Sequence, residues 1–140
     1  MKHKKHKKSI LLVEDDKVDV MTVKRAFKHL EIDNPLNIVG NGEEALNWLE
    51  ANREDLPCLI LLDLNMPKMN GIEFLQVAKK DPLFKMIPVV VLTTSEDQQD
   101  RVNSFQLSIA GYMVKSHSYP EFLKVISSIS DYWENSEIAY

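Results

Sequence analysis

The chain has a single cysteine, Cys58, so no disulfide can close within it, and no Cys/His spacing resembles a zinc site. That usage fits a reducing compartment, and a cytoplasmic location is expected. Glycine is scarce. The four glycines, at 40, 42, 71 and 111, form no nucleotide-binding arrangement, which argues against a phosphate-cradling loop. Long apolar runs are missing as well. The longest, at 59–62 and 89–92, are strand-sized and far short of a bilayer span. The N-terminus is basic but has no apolar core or cleavage site, so a secretory leader is not expected. Basic charge is short everywhere except residues 1–8 (MKHKKHKK), which hold five lysines and no acid. Outside them, twelve basic residues face twenty-one acidic ones, a poor balance for binding nucleic acid. Residues 1–8 are expected to be a solvated, disordered arm, in which His3 and His6 make a weak metal site at best.

What is present is enough for one packed domain. A length of 140 residues with 44% hydrophobic side chains suits a single unit, placed at 9–140. Short apolar runs at 10–13, 36–39, 58–62, 89–92 and 110–114 read as strands, and the uninterrupted ones read as strands buried on both faces. Between and after them lie helical patterns at about 16–30, 43–52, 72–80, 97–107 and 119–133. The fourth helix has the sparsest apolar pattern. Asn41-Gly42 reads as a turn, and Asp16 reads as an N-cap. Five alternating strand–helix units predict an α/β fold: a doubly wound parallel sheet with helices on both faces.

The polar residues that end these strands carry the chemistry. Glu14 and Asp15 follow the first strand, Asp63 the third, Thr93 the fourth and Lys115 the fifth. In a parallel sheet these ends lie along one edge, where open α/β sheets bind their ligands. Three carboxylates gathered there repel one another unless a cation joins them. Oxygen ligands in small number suit Mg²⁺, which completes its shell with water and phosphate. An ion, a lysine and a hydroxyl together are suited to holding a phosphoryl group, and a carboxylate can accept one. No nucleotide loop is present, so the phosphoryl group is expected to come from a partner.

These residues resemble a known family. Val13-Glu14-Asp15-Asp16, Leu61-Leu62-Asp63-Leu64-Asn65-Met66-Pro67, Asn70-Gly71, Val91-Leu92-Thr93-Thr94 and Gly111-Tyr112-Met113-Val114-Lys115 are similar to the receiver domains of two-component response regulators, in order and over nearly the whole chain after residue 8. The resemblance implies a flavodoxin-like, five-stranded sheet of order 2-1-3-4-5. It implies that Asp63 is the phosphoacceptor, taking its phosphoryl group from a histidine kinase or a phosphotransfer protein. Asp15 is then the direct Mg²⁺ ligand, with Glu14 acting through water and the Asn65 main-chain carbonyl as a further ligand. Thr93 resembles the switch hydroxyl, Lys115 the lysine that pairs with phosphate, and Tyr112 the aromatic that moves inward when Thr93 is engaged. Thr93-Thr94-Ser95, Lys115-Ser116 and the aromatic last helix resemble the small regulators associated with phytochromes. The pattern departs at Ser116, where many receivers have proline after a cis bond. A cis bond before serine costs about 3 kcal/mol, so either the site offsets that strain or the bond is trans.

The expected role is a signalling switch that changes protein contacts, with a phosphorylation-independent adaptor as the alternative. A phosphatase of the aspartyl-nucleophile type needs a carboxylate two residues after the nucleophile, where Asn65 stands and cannot transfer a proton. Self-catalysed phosphotransfer and autodephosphorylation are the only reactions expected. No output domain is expected, because only residues 134–140 follow Trp133. Direct contact with nucleic acid or membrane is not expected. Dimerisation through helix 4, strand 5 and helix 5 is an expectation if Ile126, Ile129 and Trp133 leave an apolar patch.

Overall fold

A computed structural model describes residues 8–140. The segment at 1–7, including His3, His6 and most of the basic arm, lies outside the described residues. Five parallel strands, β1 (Ile10–Val13), β2 (Leu36–Val39), β3 (Leu59–Leu62), β4 (Val89–Thr93) and β5 (Gly111–Val114), form one sheet in the order β2-β1-β3-β4-β5. Val13 pairs with Val39 on one side and Leu62 on the other, and Thr93 pairs with Val114. The strand order reverses beside β1, and that reversal makes the crevice.

Five helices connect or follow the strands: α1 (Lys17–His29), α2 (Gly42–Ala51), α3 (Gly71–Ala78), α4 (Gln98–Gln106) and α5 (Tyr119–Asn135). Side chains alternate across a strand, so each uninterrupted apolar strand feeds two cores at once. Leu11, Val13, Ile60, Leu62 and Val91 face α2 and α3, against Ala45, Leu49, Phe74 and Leu75. Ile10, Leu12, Leu59, Leu61 and Leu92 face α1 and α5, against Val23, Phe27, Phe122 and Trp133.

The structure moves several sequence boundaries for local reasons. Asn41 is an N-cap, its side chain accepting from the Glu44 N–H, and Gly42 is the first helical residue rather than part of a free turn. α4 forms although Ser104 is its only buried residue; Asp97 caps it by accepting from the Asp100 N–H. A single 3₁₀ turn, Phe84–Met86, precedes β4 and left no clear period in the sequence. Ile126, Ile129 and Trp133 leave no apolar patch. They are 1%, 4% and 4% exposed, because the stripe they form is the one that packs α5 on the sheet. No helix among the described residues is long and apolar enough to cross a membrane.

Candidate functional site

Each strand next to the crevice ends in a polar side chain held by the ladder itself. The Glu14 N–H donates to the Val39 carbonyl at 2.9 Å, the Asp63 N–H to the Val13 carbonyl at 3.0 Å, and the Lys115 N–H to the Thr93 carbonyl at 2.7 Å. The hydrogen bonding that aligns the apolar strands therefore also fixes where these side chains start. The carboxylates of Glu14, Asp15 and Asp63 offer oxygens within 4.8 Å of one another. Glu14 and Asp63 are buried, whereas Asp15 faces solvent. Asn65, Thr94 and Lys115 line the same cleft.

Gly71 shapes the floor of this site. A Cβ there would lie 2.5 Å from the Asp63 carbonyl oxygen and 2.9 Å from Leu64 Cα. Only a residue without a side chain lets the start of α3 press on the backbone that carries Asp63. Asn70 closes the helix start with a capping box, accepting from the Glu73 N–H while Glu73 accepts from the Asn70 N–H.

The charges are arranged unequally. Lys115 forms ion pairs with Glu14 and, at 2.8 Å, with Asp19 of α1. Burial pulls the Lys115 ammonium down, but Asp19 and Glu14 outweigh it and hold the ammonium above its ordinary value. Burial pushes the Glu14 carboxyl up to about 7; the Asp63 charge adds to this, while Lys115 and the Asp16 N–H oppose it. Asp63 Oδ1 is buried and has no hydrogen-bond partner among the described residues. A buried, unsatisfied acceptor among other acids is costly and rare in a folded protein. It fits a centre meant to receive a cation or a bonded group, and the three oxygens form a hard donor set suited to a divalent ion.

The hydroxyl side is set differently. Thr93 is fully buried, and its Oγ1 accepts from the Ser95 N–H at 3.3 Å. Thr94, not Thr93, lines the cleft in this conformation. Tyr112 is half-buried and donates its hydroxyl to the Ser95 carbonyl at 2.9 Å. Ser95 Oγ in turn donates to Asp100 at 2.7 Å. Asp16 is an N-cap, accepting from the Val18 and Asp19 N–H groups. His29 and His117 are exposed. No described peptide bond is cis, so the Lys115–Ser116 bond is trans. Sequence reasoning missed Asp19 and Asp100. Asp19 carried a usable signal, since it lies in the first turn after the Asp16 cap, directly beyond the end of β1 and so near the same edge.

A doubly wound sheet with buried carboxylates at its switch-point edge defines an α/β class that binds small ligands or ions there. Within that class the chain belongs to the response regulator receiver domain family, whose model matches residues 10–127. Response regulator Rcp1 from Synechocystis sp. is 41% identical over 130 residues, covering 90% of this chain and 88% of that protein. The structure of the phosphorylated cyanobacterial phytochrome response regulator RcpA superposes with a TM-score of 0.88 at 35% identity, over 96% of this chain and 99% of that one. The Mn²⁺-bound form of Rcp1 superposes with a TM-score of 0.85 at 39% identity, over 95% and 99%. The chain is thus a receiver-domain response regulator, of a family of phosphoacceptor signalling proteins rather than classical enzymes.

Proposed function

We propose that Asp63 accepts a phosphoryl group from the phosphohistidine of a histidine kinase or phosphotransfer protein, and that this modification switches protein contacts. The observation that carries the reading is Asp63 Oδ1, buried without a partner amid Glu14, Asp15 and the nearby Lys115. An oxygen of Asp63 bonds to phosphorus as the partner's N–P bond breaks, giving an acyl phosphate. Glu14, Asp15, Asp63 and the main-chain carbonyl of Asn65 are the groups that would hold Mg²⁺. A bound Mg²⁺ would neutralise these carboxylates and the phosphoryl oxygens. Lys115 pairs with the phosphoryl group, and the Thr93 hydroxyl turns out of its buried position to donate to it. Because Tyr112 is tied to the Ser95 carbonyl two residues after Thr93, a shift of that loop is transmitted to β5.

Likeness to the phytochrome response regulator RcpA supports a phytochrome-type kinase as the donor, and the single cysteine fits a cytoplasmic location. The downstream partner, or a second copy of the chain, docks on α4, β5 and α5. Val102 and Phe105 on α4 and Val114 on β5 are exposed there, in place of the buried α5 residues named from the sequence. The test is transfer of radiolabelled phosphate from candidate phosphorylated kinases, with Mg²⁺, to the wild type and to Asp63→Asn. The wild type takes up one phosphoryl group per chain and the variant essentially none. Equal uptake by the two proteins removes Asp63 from the mechanism. A wild type that accepts no phosphate yet still binds its target favours the adaptor alternative.

A further inference from the structure

We infer that Asp19 holds Lys115 in a resting position and is the partner that Lys115 must release to reach a phosphoryl group on Asp63. This inference rests on the phosphoacceptor reading of Asp63. Lys115 lines the same cleft as Asp63, yet among the described residues its two ion pairs are with Glu14 and Asp19. Asp63 Oδ1 meanwhile has no hydrogen-bond partner. The ammonium is therefore held between Glu14 and Asp19 and makes no hydrogen bond to Asp63 Oδ1. The Asp19 backbone is fixed at the start of α1, so its carboxylate reaches only as far as its own short side chain allows. Asp19 sits in the first turn of α1, where its own N–H donates to the Asp16 cap at 3.1 Å. The Lys115 side chain is 8% exposed and that of Asp19 is 35% exposed, so the pair is the looser of the two that Lys115 makes. The pair with Asp19 and capture of the phosphoryl group then compete for one ammonium. Asp19 is a positioning residue, which lowers the affinity of the resting site for phosphoryl and delays switching until a donor is bound.

The test is titration of the full chain with beryllofluoride at saturating Mg²⁺, for the wild type, Asp19→Asn, Asp19→Glu and Asp16→Asn. Asp19→Asn keeps the shape but weakens the hold on Lys115, so it binds beryllofluoride about two- to fivefold more tightly, the span that a partly exposed ion pair can impose. Asp19→Glu restores a carboxylate and returns toward the wild-type value. Asp16→Asn loses the same charge one turn away while remaining an equally good N-cap, and it shifts affinity by less than half as much. Matching shifts in Asp19→Asn and Asp16→Asn reduce the effect to net charge and overturn the assignment. Unchanged or weaker binding by Asp19→Asn, with the wild type binding normally, overturns it too. A wild type that binds no beryllofluoride defeats the phosphoacceptor reading itself, a failure distinct from the other two.

Discussion

The two edges of the sheet are built from the same strands and to opposite ends. At the carboxyl edge, charge is buried, one carboxylate oxygen has no partner, and a lysine is shared between two acids. At the amino edge, polar atoms fasten chain segments together. Trp133 Nε1–H donates to the buried Cys58 thiol at 3.0 Å, the Tyr140 hydroxyl donates to the Pro57 carbonyl at 2.6 Å, and Arg53 bridges Glu50 and Asp81 while stacking on Phe84. One end of each strand is spent on stability and the other tolerates instability. A reactive carboxylate needs an environment that disfavours its resting form, and such an environment has to be carried by the rest of the fold.

The largest expected effect is at the amino edge. Trp133→Ala removes a buried ring from the α5 contact and lowers unfolding free energy by about 3–5 kcal/mol, measured by urea denaturation. In molecules that remain folded, phosphate uptake at Asp63 is retained, and loss of uptake would erase the distinction between the edges. Gly71→Ala is next. Its methyl group must displace the Asp63 carbonyl, which costs about 2 kcal/mol and slows phosphorylation, so both denaturation and acetyl-phosphate kinetics should respond. Asp63→Asn has the opposite sign. It removes repulsion with Glu14 and raises stability by about 1 kcal/mol while abolishing uptake; a destabilised variant would contradict the account of the carboxyl edge.

The pH slopes read the same contrast through single protons. Glu14 has its folded value raised from 4.5 to about 7, so the unfolded chain releases that proton first as pH rises. Its contribution to stability is fullest below pH 4.5 and declines until about pH 7. Asp81 has its folded value lowered to about 2 by the Arg53 guanidinium, so its contribution is present above 3.8 and is lost as pH falls through 2. Melting curves from pH 2 to 8 should show opposite slopes in these two windows. Glu14→Gln flattens the upper slope and Asp81→Asn the lower one.

Much of the fold was legible because strand burial and helix caps are local patterns. The run at 10–13 and the Asp16 cap were readable residue by residue, and the start of α1 lies where the cap places it. The set Glu14, Asp15, Asp63 and Lys115 was legible because a parallel sheet collects strand ends along one edge. Other features depended on contacts distant in sequence. Whether Ile126, Ile129 and Trp133 faced solvent depended on how much of the α5 stripe the sheet covers. The role of Gly71 was visible only once α3 was laid against the Asp63 backbone.

By itself the sequence determined which residues end the strands, their alternation with helices and the chemistry that the gathered charges can support. These follow from periodicity and from side-chain type. Only the tertiary structure decided that Lys115 rests between Glu14 and Asp19, that Thr93 is enclosed while Thr94 meets the cleft, and that Asp63 Oδ1 has no partner. The reason is geometric: an ion pair between residues 19 and 115 is set by the packing of α1 against the end of β5, and no local pattern in the chain encodes that distance.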